Sequence, residues 1–370
     1  MATGQGGYSV NFEGVVMTTV KAIRRLPVWM LLSCFVLSAV QAEVPADKFD
    51  MRFWKITLPT DQNKDGKVDE VDVRGMGDFS HPDFFYLDDR GLLMFNVPNK
   101  ATTTVGSTNT RSELRQMLRS TNTSIGTHDP KNNFALKANR GAKQFADIGG
   151  QLEATLAVLH VARNAKHPDK KPAFSVVVGQ IHGDKDEGLM RRGSGYGNEP
   201  IKIYYKKWPG HETGSVFWTY ERNLARENPD RTDIAYPIWG NTWENPEDPG
   251  DEGIALGELF NYNINVHGNM MYLTFRTKDP AQTVQYQIDL SDNVDAYGKV
   301  DEKDNPKGYS GDALYFKAGA YNQCSSRDEP DFWYPACAGT GDWETDKANG
   351  DYVSVAFARI QLTGSVDPGK

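Results

Sequence analysis

Three short segments of the chain place polar side chains of catalytic types two residues apart. Successive side chains of a β-strand point to opposite faces, so this spacing lines one face with function. That face would carry Arg111, Glu113, Arg115, Gln180, His182, Tyr315, Lys317, Tyr321 and Gln323. Leu114, Ile181 and Phe316 would point the other way, into a core. Three such strands side by side predict a groove with several cations, an imidazole and two phenols, suited to an acidic, extended substrate.

Each segment alone also has an ordinary structural explanation. An isolated Arg-x-Glu-x-Arg face is more often a ladder of charged pairs on a sheet surface. A lone Gln-x-His is more often a hydrogen-bonding pair. The two segments coincide with Tyr-x-Lys-x-Gly-x-Tyr-x-Gln at 315–323, and this coincidence favours a functional site.

In this order, R-S-E-L-R at 111–115, Q-I-H at 180–182 and Y-F-K-A-G-A-Y-N-Q at 315–323 resemble the alginate lyases of polysaccharide lyase family seven. The resemblance extends from residues 53–59 to residues 352–359. It implies a β-jelly roll with a concave substrate-binding sheet, and an enzyme that cleaves alginate by β-elimination without a catalytic cofactor. Ile181, where the family also has Val, is associated with guluronate-containing substrates.

Elimination from a uronate needs a neutralised carboxylate, a base for the C5 proton and an acid for the departing oxygen. Arg111 and Gln180 suit the first task, because they offer a guanidinium fork and an amide donor. His182 suits the base and Tyr321 the acid, and the resemblance gives these four residues as catalytic. We expect Glu113 to brace Arg111 and Arg115. The substrate-binding set is predicted to be Glu113, Arg115, Tyr315, Lys317 and Gln323.

Other functions fit the sequence less well. A glycoside hydrolase needs two carboxylates flanking the scissile bond, and no predicted strand face carries two acids. A non-catalytic, lectin-like sandwich could use a basic groove but has no need of His182 together with Tyr321. A lyase for another polyuronate, such as glucuronan, shares the chemistry and stays an alternative.

The rest of the sequence predicts an all-β protein. Runs rich in β-branched and aromatic residues alternate with Gly, Pro, Asn and Asp clusters, and no strand–helix alternation is present. An antiparallel two-sheet β-sandwich follows. The predicted strands are 134–138, 152–161, 174–182, 201–206, 216–220, 262–266, 270–276, 284–290, 314–322 and 353–362.

Two segments are harder to assign. Residues 113–119 are good helix formers, but the period-two polar face and the resemblance favour a strand. Residues 222–253 contain several X-Pro steps and many charges, which predicts a long ordered loop. Within it, Tyr236, Trp239 and Trp243 would either stack on sugar rings or pin the loop.

Residues 1–42 resemble an export signal. Lys21, Arg24 and Arg25 precede an apolar run at 28–40, which is shorter than the ~20 residues that span a bilayer. Met17 would open a signal of ordinary length, and cleavage is expected after Ala42. We therefore predict one catalytic domain at 43–370, a monomer that is secreted or periplasmic and has no membrane attachment.

Charge and partner predictions follow from the composition. The net charge is −8, and removing residues 1–42, which carry +2, leaves about −10. An acidic protein is not expected to bind nucleic acid through its overall field. Alginate, an anionic polysaccharide, would have to meet a local basic groove.

Cys324 and Cys337 are the two cysteines beyond residue 42. In an oxidising compartment an even pair predicts a disulfide, with two free thiols as the alternative. Such a bridge would stabilise the fold by ~3 kcal/mol on chain-entropy grounds.

Residues 61–72 match the oxygen spacing of a calcium loop. The candidate ligands are Asp61, Asn63, Asp65, Asp69 and Asp72, with Gly66 at the turn. The last position has Asp in place of the usual Glu, and no paired helices flank the loop. A solvated acidic turn is the alternative, and any calcium would be structural.

Overall fold

The alternating strands of the sequence pair into two antiparallel sheets in the computed structural model, which describes residues 43–278, 281–328 and 332–369. The predicted signal at 1–42 lies outside the described residues. The strands, numbered in chain order, are β1 Trp54–Thr57, β2 Glu70–Val71, β3 Phe85–Leu87, β4 Leu93–Pro98, β5 Asn109–Gln116, β6 Phe134–Ala135, β7 Asp147–Ile148, β8 Gly150–His160, β9 Ser175–Gly183, β10 Ile201–Lys206, β11 Ser215–Glu221, β12 Asp233–Trp239, β13 Phe260–His267, β14 Met270–Thr277, β15 Thr283–Asp289, β16 Leu314–Ser325 and β17 Tyr352–Thr363.

Helices are short in the described residues. Two α-helices are present, α1 at Glu187–Met190 and α2 at Trp343–Asn349, together with 3₁₀ turns at Pro45–Asp47, Val73–Gly75, Pro130–Asn132, Ala142–Gln144 and Gly250–Glu252. Among the residues described, no helix is long and apolar enough to cross a membrane.

One sheet has ten strands and the other has seven. The larger sheet runs β12-β11-β10-β9-β16-β5-β1-β2, with β6 and β7 attached beside β16, and the smaller sheet runs β15-β14-β13-β8-β17-β4-β3. Pairing is antiparallel except between β6 and β7. The two-sheet β-sandwich of the jelly-roll type predicted from the sequence is confirmed.

The main core lies between the sheets. Leu114, Ile181 and Phe316 are fully buried in it, as the period-two pattern predicts. Their strand neighbours Arg111, Gln180 and Lys317 therefore lie on the opposite side of the ten-stranded sheet, which we call the site face.

One of two predictions about local structure is confirmed, and the other is wrong in part. The segment 113–119 is strand as far as Gln116, as expected, and then turns. The predicted loop at 222–253 is wrong in its middle, because Asp233–Trp239 forms β12. Tyr236 and Trp239 pack into the core, so they are not available to stack on a sugar.

Candidate active site

The three motif strands lie side by side in the order β9-β16-β5 at the centre of the ten-stranded sheet. Lys317 is paired with Gln180 on one side and with Arg115 on the other. Tyr321 is paired with Arg111, and Tyr315 with His182. The structure therefore brings the nine residues predicted from the motifs onto three adjacent strands.

Two glycines make this arrangement possible. Gly319 has a φ of 140° and lies so close to β5 that a Cβ atom would stand 2.6 Å from the carbonyl oxygen of Ser112. At Gly179, a Cβ atom would stand 2.4 Å from the hydroxyl of Tyr262, which reaches across the core. The registers of β9 against β16 and β10 shift beside these positions, so the glycines fix where the motif side chains stand.

Glu113 is the centre of the charge arrangement. Its buried carboxylate accepts hydrogen bonds from Lys317 Nζ, from Gln180 Nε2 and from Arg111 Nη1, the last at 3.2 Å. Burial raises the pKa of Glu113, but Lys317 and Arg111 outweigh it and the pKa lies below its usual value. One carboxylate thus orients two cations and an amide towards the same place.

Two polar atoms of this group have no protein partner among the described residues. They are Arg111 Nε, a donor, and Gln180 Oε1, an acceptor, and both are buried. Burying such atoms costs free energy unless a ligand or water satisfies them. They are therefore atoms of the cluster whose hydrogen-bonding capacity the described protein groups leave unused.

Arg115 is held differently from the expectation. Its guanidinium donates to the carbonyl oxygens of Gln116 and Thr127 and to Asn133 Oδ1, and it lies 3.8 Å above the ring centre of Tyr315. Arg115 has no contact with Glu113 among those described, so the brace acts on Arg111 and Lys317. Arg115 instead ties β5 to the segment 127–133.

Tyr321 lies at one end of the site, measured along the strands, and His182 lies at the other. The guanidinium carbon of Arg111 lies 4.1 Å from the Tyr321 ring centre, and the Tyr321 hydroxyl is 3.3 Å from Ser107 Oγ. Either hydroxyl can donate in that contact. The Gln323 side chain donates to the Tyr321 carbonyl oxygen and is buried.

His182 lies at the end of the site opposite to Tyr321. Its Nδ1 is 2.6 Å from the Gly183 carbonyl oxygen, and its Nε2 is 3.1 Å from Glu199 Oε1. A carbonyl oxygen only accepts, so Nδ1 carries a proton and Nε2 is the atom that can exchange one. The imidazole also stacks on Tyr315, with ring centres 5.3 Å apart.

Tyr315 is the first of the two phenols of the third motif. Burial raises the pKa of Tyr315 to about 12, and the neighbouring Arg115 only partly opposes this. Its phenol therefore stays neutral near pH 7. Tyr315 supports the imidazole and the Arg115 guanidinium with its ring faces.

Tyr321 and His182 are well separated along the strands. Tyr321 faces Val177 of β9, whereas His182 is five residues further along the same strand. At ~3.3 Å per residue their backbone positions are roughly 16 Å apart. Gln180, Lys317 and Glu113 lie between them, so the phenol and the imidazole approach the anion-binding cluster from opposite sides.

Several site residues come from segments that the motifs do not include. They are Ser107, Glu199, Lys202, Tyr204 and Tyr334. Lys202 and Tyr204 alternate with buried Ile201, Ile203 and Tyr205, so the period-two rule applied to β10 could have found them. Ser107, Glu199 and Tyr334 lie in loops and carry no such signal.

Lys202 joins three acids from different segments. Its Nζ lies 2.9 Å from Asp233, 3.3 Å from Glu199 and 3.7 Å from Glu221. The sequence predicts that no strand face carries two acids; here the three acids come from separate segments, Glu221 from β11, Asp233 from β12 and Glu199 from the chain before β10. Lys202 and His182 hold the pKa of Glu199 well below its usual value although burial raises it, whereas burial and the nearby Glu199 hold the pKa of Glu221 well above.

The predicted disulfide is present between Cys324 and Cys337, with Cα atoms 5.4 Å apart. It closes a loop directly after β16. The isolated pairings of Ala165 with Cys337 and of Ser325 with Ala336 hold the end of this loop against its neighbours. The loop carries Tyr334, whose pKa burial and the nearby Tyr321 raise well above the usual value.

The predicted calcium ligands lie away from this site. Asp61 accepts from the backbone amides of Asp65 and Gly66, and Asp69 accepts from Thr60 and Gln62. Asp72 forms two hydrogen bonds with Arg119, and Asn63 and Asp65 each accept from a loop amide. Within the described ranges no group of three or more His, Cys, Asp or Glu side chains is placed to hold a metal ion. Calcium binding stays a prediction.

Comparison with known proteins gives a consistent result. The sequence model of the alginate lyase family matches residues 49–364. An alginate lyase of Klebsiella pneumoniae is 32% identical over 336 residues, which cover 88% of this chain and 93% of that protein.

Solved structures agree. The crystal structure of the alginate lyase from Klebsiella pneumoniae has a TM-score of 0.67 at 31% identity. The exolytic PL7 alginate lyase AlyA5 from Zobellia galactanivorans has a TM-score of 0.70 at 31% identity. In both cases the match covers 88% of this chain and 99% of the other. This chain belongs to the alginate lyase family, polysaccharide lyase family seven.

Proposed function

We propose that the protein depolymerises alginate by β-elimination and releases unsaturated oligouronates. The observation that carries this proposal is the Glu113 cluster, which points Arg111, Gln180 and Lys317 at one place between an imidazole and a phenol. Alginate is the substrate class that the names of the relatives give for those proteins.

The reaction has three coupled changes. A base removes the C5 proton of one uronate, the electron pair forms the C4–C5 double bond, and the bond from C4 to the bridging oxygen breaks. The departing oxygen takes a proton from an acid. Neutralising the C5 carboxylate stabilises the charge that develops at C5. The Arg111 guanidinium would supply this together with the second N–H of the Gln180 amide, whose first N–H is bonded to Glu113.

Tyr321 and His182 are the proposed proton-transfer groups. In guluronate the C5 hydrogen and the leaving oxygen lie on opposite faces of the ring, so His182 would act as base and Tyr321 as acid. Their placement on opposite sides of the Glu113 cluster fits this division. In mannuronate the two lie on one face, so Tyr321 would do both tasks and His182 would orient the carboxylate.

We propose activity on guluronate-containing blocks, which rests on Ile181. That side chain is buried in the core, so any effect on block preference acts through packing that positions Gln180 and His182. Tyr315, Gln323 and Arg115 would support the substrate site through the residues they hold.

The rival functions fit less well. Glu113, the acid within the site, is bonded to Lys317, Gln180 and Arg111. Of the acids beside it, Glu199 donates its backbone amide to Glu221 at 3.0 Å. The Glu199 carboxylate contacts His182 and Lys202, whereas the two acids of a glycosidase flank the scissile bond ~5–9.5 Å apart. A lectin would leave the imidazole and phenol without a task. A lyase for glucuronan stays the nearest alternative.

Export to the periplasm or the medium is also proposed. The Cys324–Cys337 bridge supports it, because disulfides persist in oxidising compartments. We further propose a monomer that needs no cofactor for catalysis, since the side chains already described supply charge neutralisation, base and acid. Structural calcium at 61–72 remains a separate hypothesis.

The direct test is absorbance of the unsaturated product in the ultraviolet. Purified protein is mixed with polyguluronate, polymannuronate, alginate and glucuronan in separate reactions. We expect product from alginate and polyguluronate without added metal and in the presence of a chelator. Product from glucuronan alone would favour the rival lyase, and binding to alginate without any product would favour the lectin.

The pH dependence of binding follows from Lys317. Burial and the nearby Arg111 lower the pKa of Lys317 to about 8, although Glu113 opposes the shift. The ammonium is therefore present below pH 8 and lost above it. We expect KM for alginate to rise as pH increases through about 8, because the neutral amine no longer attracts uronate carboxylates. In Lys317→Met, KM should be high and flat over the same range; a parallel rise in both proteins would contradict the assignment.

A further inference from the structure

On one side of the motif strands the site face of the sheet is covered. Tyr204 of β10 and Phe217 of β11 are both completely buried. Their strand neighbours Ile203, Tyr205 and Val216 point into the core between the sheets, so Tyr204 and Phe217 point out onto the site face. Side chains that line an open groove would be accessible. These two are not.

The cover consists of two further aromatic layers. Trp243, from the chain after β12, packs edge-on against Tyr204 at 5.2 Å and against Phe217 at 5.3 Å between ring centres. Trp333 packs on Trp243 at 5.7 Å and is 39% exposed at the outer surface. We call Tyr204, Phe217, Trp243 and Trp333 the aromatic wall.

The wall begins directly beside the proposed proton donor. Tyr321 belongs to the same packed cluster as Tyr204, Phe217 and Trp243, and Val177 lies between them on β9. Trp333 is carried by the loop that the Cys324–Cys337 bridge closes. Because aromatic layers of ~5 Å centre spacing are stacked on the sheet, a sugar chain cannot continue across β10 and β11 at this level.

The charges end at the same strand. Lys55, Arg115, Lys317 and Lys202 lie in one row across the sheet, through the pairings of β1, β5, β16, β9 and β10. Lys202 closes this row and is buried among Asp233, Glu199 and Glu221, with Arg231 paired to Glu221 at 2.7 Å. Lys202 and Arg231 are already paired with these acids, so the group leaves no free cation for another uronate.

The end of this row of cations at Lys55 is more exposed than the end at Lys202. There Lys55 pairs with Glu70 of the edge strand β2, and the Glu70 side chain is 43% exposed. Beyond Arg115, which the segment 127–133 holds, this set of cations ends at a partly exposed ion pair at β1 and β2, whereas at β10 it ends against packed aromatic rings and carboxylates. A polyuronate bound along these cations would have many sugar residues on the β1 side of the scissile bond and few on the β10 side.

We infer that the enzyme works exolytically, with the aromatic wall limiting the substrate to one or two uronates beyond the scissile bond on the β10 side. The inference rests on the proposed function, since it describes the same cleavage at the same site. Tyr334, which lies beside Tyr321 on the loop that the disulfide closes, would meet the terminal sugar.

The experiment follows product size from the first minutes. The wild-type protein is incubated with polyguluronate and with a guluronate hexamer that carries a fluorescent label at its reducing end. We expect monomer and dimer from the start, a slow fall in viscosity and cleavage near one end of the hexamer. Long oligomers with a rapid fall in viscosity, or cleavage at all internal bonds of the hexamer, would overturn the inference while leaving the lyase reaction intact.

Variants connect the result to the wall. Trp243→Ala should open it and lower the early share of monomer and dimer severalfold, with longer products replacing them. Trp333→Ala removes only the exposed outer layer, so it keeps the test usable if Trp243→Ala unfolds. Tyr297→Ala is the matched control, because Tyr297 is a 60% exposed aromatic residue outside the wall.

An unchanged product pattern in a folded Trp243→Ala protein would overturn the role of the wall. Absence of unsaturated product from every uronate polymer would remove the proposed function and this inference with it.

Discussion

Replacing Tyr321 by Phe is expected to lower kcat on every alginate block by ~10²–10⁴-fold, the range that general acid–base groups contribute. The change removes one hydroxyl. The ring that packs beneath the Arg111 guanidinium and beside Val177 remains. KM should therefore change little, because Arg111, Gln180 and Lys317 stay on Glu113. Initial rates of unsaturated product, measured across substrate concentrations, give both constants.

Tyr315→Phe is the matched control for this experiment. Tyr315 lies six residues earlier on the same strand and is also a buried phenol, but its pKa is raised to about 12 by burial. Its ring contacts with His182 and Arg115 survive the substitution. We expect at most a modest loss. If Tyr315→Phe lost turnover and Tyr321→Phe kept it, the acid would be the other phenol.

The motif strands could be predicted from the sequence because their chemistry and their burial follow the same period of two. Segment 113–119 shows how tertiary structure overrides local propensity. Its helix formers adopt a strand as far as Gln116, because Leu114 enters the core while Glu113 collects the cations on the other face. The adjacency of the three strands came from the family resemblance.

Strand β12 was missed for a physical reason. Its Pro237 argues against a strand in the middle of a sheet, because proline has no N–H for the ladder. β12 is the edge of the ten-stranded sheet, where one side of the strand needs no partner. The X-Pro step therefore indicated an edge strand, whereas the sequence analysis predicted a loop.

Glu199 and Ser107 could not be predicted because no periodicity connects them to the residues they serve. Glu199 reaches His182 from the chain that leads into β10, and Ser107 reaches Tyr321 over 214 residues of sequence. The calcium-loop spacing at 61–72 is the reverse case, a sequence pattern for which the described residues show no assembled metal site. The spacing is real, but Asp61 and Asp69 bond neighbouring groups of their own loop and Asp72 bonds Arg119. The shape of the surface does not identify the site either, since a depression of about 280 Å³ lined by residues 48–50, 53–54 and 358–362 contains no motif residue.

Replacing Glu113 by Gln is expected to lower the free energy of unfolding by about 3 kcal/mol, the lower end of what breaking a buried ion pair costs. The introduced amide would keep the side-chain volume but leave Lys317 and Arg111 as buried like charges without a counterion. Lys317, whose pKa is already lowered to about 8, would lose its proton more readily and thereby relieve part of the cost. Chemical denaturation at pH 7 measures the change.

The double variant Glu113→Gln, Lys317→Met separates stability from catalysis. It removes one negative and one positive charge together, so we expect most of the lost stability to return. Activity should stay low, because Arg111 and Gln180 no longer share the carboxylate that aims them at the substrate. A double variant as unstable as the single one would mean that Glu113 stabilises the fold chiefly through Arg111. Full activity in the folded double variant would mean that the carboxylate does not organise the site.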